Sequence, residues 1–223
     1  MTFERIMALI GIALIAFLIG SFSPAIVISN AVSKRDIRKY GSGNAGSTNM
    51  ARTFGMKFGI LTFLGDVLKG AVVAYLSTIA SSLLGEQGLR YAVIAGSIFA
   101  VVGHNWPVYY SFRGGKGVAT TLGVLLVVMP VPTLICLIPT ALVMLLSHTV
   151  SLGSIMGVLF TVAAAFIVYP PINEAHIITI VLAILVWLLH IPNIKRLATG
   201  TERHFDLKKK KTESAEQGAS ENK

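Results

Sequence analysis

Seven stretches of this chain are almost wholly apolar: 6–28, 58–84, 91–110, 118–129, 133–147, 155–169 and 177–191. A helix rising about 1.5 Å per residue needs about 20 apolar residues to cross the roughly 30 Å of hydrocarbon in a bilayer. Runs of that kind recur here from end to end, so the pattern predicts one all-α domain, a polytopic helical bundle with the bilayer as its solvent. The fourth and fifth stretches are short for a full crossing and only Pro130 and Pro132 divide them, so a single kinked helix competes with two separate ones.

Composition agrees with a membrane bundle, since 54% of the 223 residues are hydrophobic and 13% charged, where a soluble domain averages about 45–50% and about 25%. Charge placement then chooses between the helix counts. With seven crossings, Lys34, Arg35, Arg38, Lys39, Arg52, Lys57, Arg113, Lys116 and the basic residues from Lys195 to Lys223 share one side. Arg5 and Arg90 fall on the other, and Lys69 lies within a span. Because basic loops stay cytoplasmic, the expectation is about seven transmembrane helices with the N-terminus out and the C-terminus in; merging 118–129 with 133–147 would export a basic segment. Glu4 beside Arg5 and the basic stretch after the first run argue against a cleaved signal peptide.

Residues 1–205 read as the transmembrane domain, and 206–223 as a disordered basic and polar tail. The net charge of +9 sits in loops that flank apolar runs, where anionic membrane lipids read it, and so implies no nucleic acid partner. The single cysteine, Cys136, lies in an apolar run and reads as packing. No His, Cys or Asp cluster has metal-ligand spacing, and no cofactor or metal is expected.

The chemistry lies in the polar loops of the basic side. The first contains Gly41, Ser42, Gly43, Asn44, Gly46, Ser47, Thr48 and Asn49, then Arg52. Glycines let backbone N–H groups converge on an anion, Ser and Asn add donors, and an arginine fork suits phosphate; a flexible linker is the plain alternative. The second contains His104 and then Arg113, Gly114, Gly115, Lys116 and Gly117, running straight into 118–129. There the backbone donors and the positive end of a helix dipole would point at a bound anion. The spacing is not that of a nucleotide-binding loop, and a bare turn with a snorkelling lysine is the alternative. Ser151 and Ser154 lie in a short neutral loop, while His190, Asn193 and Arg196 recur every three residues with Glu202 beyond them. Asp66 and Lys69 form a close pair inside a span, where charge is costly, so they mark either a site or a structural ion pair.

Taken in order, the segment from Gly41 to Arg52, Asp66 with Lys69 and Gly70, Gly103 with His104, the segment from Phe112 to Thr120, Ser151 to Ser154, and His190, Asn193, Ile194, Arg196, Gly200 and Glu202 resemble the bacterial acyl-phosphate:glycerol-3-phosphate acyltransferase family. The match runs from about Gly20 to Glu202. The resemblance implies transfer of a fatty acyl group from acyl phosphate to the 1-hydroxyl of glycerol 3-phosphate, giving lysophosphatidic acid and phosphate, the first step of membrane phospholipid synthesis. It implies a multi-pass enzyme of the bacterial plasma (inner) membrane with its site facing the cytoplasm. Its partners would be acyl phosphate, glycerol 3-phosphate, membrane lipids and the enzyme that forms the acyl phosphate. Ser47 stands where the family usually has Ala, and Ser21 to Pro24 departs from the family's usual Gly-Ser-Ile-Pro. No histidine is followed by the Asp, four residues away, of the more familiar glycerolipid acyltransferases.

On this reading the Gly41 loop with Arg52 and the Gly114 loop with Lys116 hold the two phosphates, in an order left open. His190 is the candidate base with Asn193 or Ser42 assisting, and the departing phosphate is the alternative proton acceptor. Gly41, Gly43, Asn44, Thr48, Asn49, Arg52, His104, Arg113, Gly114, Gly115, Lys116, Gly117, Ser151 and Ser154 then belong to substrate binding, and Asp66, Lys69 and Glu202 to structure. A transporter of phosphorylated solutes is the rival class, which the otherwise apolar spans disfavour. A structural subunit would leave the loop motifs unexplained.

Overall fold

The computed structural model describes residues 2–83 and 85–204; the tail 206–223 lies outside them. Within that range the chain is helical with no strand: α1 (Phe3–Ser21), α2 (Pro24–Ser33), α3 (Ser47–Phe54), α4 (Met56–Leu83), α5 (Gly85–Asn105), α6 (Val118–Val128), α7 (Pro130–Ser147), α8 (Val150–Val168), α9 (Glu174–Leu189) and α10 (Ile191–Ala198). Among the described residues all seven apolar stretches are mainly helical, with breaks inside the first and third and the other differences at their ends. The first is broken at Phe22 and Ser23, because Pro24 has no N–H to continue α1; Ser23 instead caps α2, its hydroxyl accepting from the Ile26 N–H at 3.4 Å.

Length alone makes five spans. These are α1 with α2, α4, the part of α5 from Arg90 onward, α7 and α8, and the pair α9 and α10, bent by 57°, makes a sixth if it crosses as one. The expected seventh falls on α6, whose 11 residues reach about 16 Å, half of the hydrocarbon thickness. Even so, α6 and α7 are two helices rather than one kinked helix. Met129 leaves the helical region, Pro130 starts α7, and the Thr133 hydroxyl bridges the break by donating to the carbonyls of Leu125 and Met129 at 3.1 and 2.6 Å. The start of α6 and the end of α7 then meet at one cavity, which makes the pair a hairpin.

Small residues bring the helices into backbone contact. A Cβ on Gly20 or Gly103 would strike the Ala100 or Phe17 carbonyl where α1 crosses α5, and one on Gly70 or Gly123 would strike the Thr120 or Val67 carbonyl where α4 crosses α6. Close approach of this kind drives helix association in lipid, where burial of apolar surface gives little gain. The interior joins Ala74, Val101, Val124, Leu125, Ile178 and Leu182 from α4, α5, α6 and α9. The outside is more apolar than water permits: Leu146 and Ile167 are 81% and 80% exposed, and such side chains recur along the long helices as a lipid-facing belt.

Candidate active site

In the first loop Asn49 is the organiser. Its amide nitrogen donates to the carbonyls of Ile37, Tyr40 and Asn44 at 3.3, 3.0 and 3.0 Å, and its oxygen accepts the Ser42 N–H at 2.9 Å. Gly41, at φ +58°, must be glycine twice over, for its left-handed backbone and because a Cβ would strike that amide oxygen. Both amide protons of the Asn49 side chain, shared among three carbonyls, and one lone pair of its oxygen are thereby spent on folding the loop. The residues after Gly46 form α3 where the sequence reads as loop, packed through Met50 on Ala25, Ile26, Ile37 and Ala45, so Arg52 projects from a helix.

The second loop is arranged differently from the expected anion nest. The Gly114 and Gly115 N–H groups donate to the Asn105 and His104 carbonyls, both at 3.2 Å, and neither glycine lines the cavity. Gly115 instead packs against the Nε2 end of the His104 imidazole, which a Cβ would strike. Arg113 is exposed and outside the lining as well. Its carbonyl, with that of Tyr110, accepts from Arg38 Nη1 at 3.1 and 2.5 Å, which ties the second loop to the first. Gly117, at φ +77°, turns the chain into α6 and leaves Lys116 as the side chain this turn sends into the cavity.

At the other wall α8 starts at Val150, so Ser151 and Ser154 stand on its first turns rather than in a loop. Ser154 donates to the Val150 carbonyl at 2.8 Å. Ser151 Oγ, Asn193 Nδ2 and Arg196 Nε all converge on the Glu202 carboxylate, at 3.0, 2.7 and 2.8 Å. Burial pushes the Glu202 carboxyl up, but the hydrogen bonds from Asn193, Arg196 and Ser151 outweigh it and hold the group below its ordinary range. The carboxylate fixes which end of the Asn193 amide faces it, so the amide oxygen is presented to the Lys116 ammonium and accepts from it. Burial first, then the nearby Arg196, push Lys116 down to about 8, with Glu202 opposing. His190, at the break between α9 and α10, donates from Nδ1 to the Val186 carbonyl at 2.7 Å, which leaves the Nε2 lone pair of the neutral ring free.

These groups surround one cavity of about 650 Å³. It gathers Ser42, Gly43, Asn44, Thr48, Asn49, Arg52, His104, Lys116, Gly117, Ser151, Ser154, His190 and Asn193, with Asp66 and Glu202, and omits Gly41, Arg113, Gly114, Gly115 and Lys69. Asp66 and Lys69 pair beneath it at 2.8 Å. Within the described residues, neither Arg52, Lys116 nor the newly found Arg203 has a carboxylate partner among the ion pairs, whereas Arg196 has Glu202. Burial, then the Arg203 guanidinium, push Arg52 down from its usual range. Ile60, Phe63 and Met144 form an apolar wall. Arg203 follows Glu202 directly and was readable as an extension of that motif; the apolar lining residues carry no local signal inside their spans.

The bundle and this cavity define a polytopic membrane protein that gathers cationic side chains beside an apolar wall. A family model described as Glycerol-3-phosphate acyltransferase matches residues 10–200. A glycerol-3-phosphate acyltransferase of Clostridioides difficile (strain 630) is 43% identical over 205 residues, 92% of this chain and 99% of that relative. One from Thermoanaerobacter pseudethanolicus (strain ATCC 33223 / 39E) is 46% identical over 197 residues, 88% and 95% of the two chains. A crystal structure of PlsY (YgiH), an integral membrane glycerol 3-phosphate acyltransferase, in its glycerol 3-phosphate form is 34% identical, with a TM-score of 0.78 over 89% of this chain and 96% of that one. Its lysophosphatidic acid form gives 0.75. The chain belongs to the glycerol-3-phosphate acyltransferase family and is an integral membrane protein.

Proposed function

We propose that this chain transfers a fatty acyl group from acyl phosphate to the 1-hydroxyl of glycerol 3-phosphate, releasing lysophosphatidic acid and phosphate as the first step of phospholipid synthesis. The observation that carries this reading is the trio Arg52, Lys116 and Arg203, in no ion pair among the described residues, facing one cavity that also has an apolar wall. Both substrates bear phosphate, and one of them also bears a chain that belongs in lipid. Acyl phosphate is an activated mixed anhydride, so anion binding and orientation supply most of the catalysis. Arg52 with Ser42, Asn44 and Thr48 holds one phosphate and Lys116 the other. The hydroxyl oxygen of glycerol 3-phosphate bonds to the acyl carbon, the bond from that carbon to the phosphate oxygen breaks, and His190 Nε2 takes the hydroxyl proton and passes it to the leaving phosphate. Asn193 acts by holding Lys116 between itself and the cavity. The cytoplasmic side of a bacterial plasma membrane is the natural location, with seven passages, the N-terminus outside, residues 1–205 as the catalytic unit and the enzyme that makes acyl phosphate as a neighbour.

The test is phosphate release by the purified, lipid-reconstituted protein given palmitoyl phosphate and glycerol 3-phosphate, with palmitoyl-CoA or glycerol substituted in parallel. Release with lysophosphatidic acid formation from the first pair alone is expected. Equal turnover of palmitoyl-CoA would overturn the acyl phosphate assignment.

A further inference from the structure

Under the cavity floor, α4, α5 and the α1–α2 break meet at Asp66, Lys69 and His104, which are 1%, 7% and 5% exposed. An ammonium has three protons to donate, and Lys69 Nζ has three polar atoms around it. It donates to the Phe22 carbonyl at 2.6 Å, forms an ion pair with Asp66 Oδ1 at 2.8 Å and lies 2.9 Å from His104 Nδ1. The Phe22 carbonyl is available because Ser23 and Pro24 interrupt the first span there. A proton on Nδ1 would point a donor at a donor across 2.9 Å. A doubly protonated ring would set two cations against one carboxylate in a site with almost no water, a costly arrangement. Asp66 Oδ1 lies farther from Nδ1, at 3.2 Å. Nδ1 is therefore the acceptor, and the proton of the neutral imidazole sits on Nε2. Nε2 has no hydrogen-bond partner among the described residues; the ring lines the cavity with Asp66, and its Nε2 end lies beside Gly115, which lacks a Cβ to cover it, next to Lys116.

We propose that His104 is a neutral hydrogen-bond donor whose Nε2–H meets a substrate oxygen that carries or gains negative charge, with Lys69 the positioning residue that sets its tautomer. The two cavity histidines are then in opposite states: His190 spends its Nδ1 proton on the Val186 carbonyl and offers a lone pair, whereas His104 offers a proton. A neutral donor serves where an imidazolium would not, because it stabilises charge without giving up its proton. The inference rests on the acyl transfer reading only for the identity of the oxygen. As the hydroxyl adds to the acyl phosphate, the carbonyl oxygen gains charge and loses it again when the bond to phosphate breaks, and no proton passes through His104.

The direct test is 15N NMR of the full-length protein, labelled at histidine and held in lipid nanodiscs, with the His104→Gln variant used to assign the His104 signals. The expected result is a protonated Nε2 and an unprotonated Nδ1 in the unsubstituted protein, and loss of that preference in Lys69→Met. A protonated Nδ1 in the unsubstituted protein overturns the proposal. Kinetics separate a donor from a base. A glutamine side chain reaches as far as Nε2 and still donates, so His104→Gln should keep kcat within about tenfold, while His104→Ala should lose about a hundred- to a thousandfold, the usual cost of removing one such donor. Equal loss in both, with intact size-exclusion profiles, overturns the donor role. The expected tautomer in a protein that transfers no acyl group would overturn the reaction reading while upholding the hydrogen-bond assignment.

Discussion

Lys116 is held by an amide that is itself aimed by a carboxylate, and this ordering makes its ionisation measurable. An ammonium with a pKa of about 8 is charged below that pH and loses its charge as pH rises through it, so kcat/KM for a phosphate substrate should fall above about pH 8. Lys116→Arg should move that limb upward, because the guanidinium stays charged. Glu202 supports the charged state of Lys116, so Glu202→Gln should shift the limb to lower pH, and a pH profile of phosphate release measures both shifts. Lys116→Ala should lose a charge-assisted contact of about 1.5–3 kcal/mol, or about ten- to a hundredfold in kcat/KM, without change in the folded fraction. The chemical types of Arg52, Lys116, His190 and Glu202 were legible in the chain because each stands out against apolar or small neighbours. The tasks of Asn49, Gly114 and Gly115 were not, because their partners lie in the carbonyls of residues that only the tertiary fold brings near. A glycine-rich turn beside a helix start looks the same whether its N–H groups face an anion or, as here, the His104 and Asn105 carbonyls.

Between elements, the site depends on how closely α6 lies on α4. Lys116 stands just before α6, and α6 is positioned by the backbone contact of Gly123 with Val67 and of Thr120 with Gly70. Neither carbonyl can swing aside as a side chain does. Gly123→Leu should therefore cost about 1–3 kcal/mol by overpacking and lower the thermal midpoint of the detergent-solubilised protein. Leu134→Ala, on the exposed face of α7, should leave it nearly unchanged. Helix existence was readable from apolar run length, since each of the seven stretches is mainly helical among the described residues. The breaks were harder. Pro24 sits in a run otherwise apolar enough to continue, and the polar octet of α3, Ser47–Phe54, is a helix only because Met50 has a pocket to fill. His190, Asn193 and Arg196 recur every three residues, yet His190 sits at the break after α9 while Asn193 and Arg196 belong to α10.

At the scale of the molecule, the cavity is assembled from the loop after α2, the end of α5, the start of α6, the end of α7, the start of α8 and the junction of α9 with α10. All of these must lie on one side of the bilayer, which forces the intervening helices to run alternately toward and away from that side. The basic residues of the loops and of α10 lie at the same end, and basic ends are retained in the cytoplasm. In the proposed orientation the Asn173 turn between α8 and α9, which caps α9 through the Ala175 N–H at 3.0 Å, is at the opposite end and faces the exterior. A cysteine placed in that turn should be labelled from the exterior and one placed on α10 should not. With Cys136, which is buried and unpaired, replaced by serine, Ile172→Cys should react with a membrane-impermeant maleimide added to intact cells. Lys195→Cys, exposed on α10 and outside the cavity lining, should react only after the membrane is opened. Ile172 is 68% exposed, so failure to label it while Lys195→Cys labels in intact cells would invert the orientation and place the cavity, with Arg52, Lys116 and Arg203, on the outer face, away from any cytoplasmic supply of acyl phosphate.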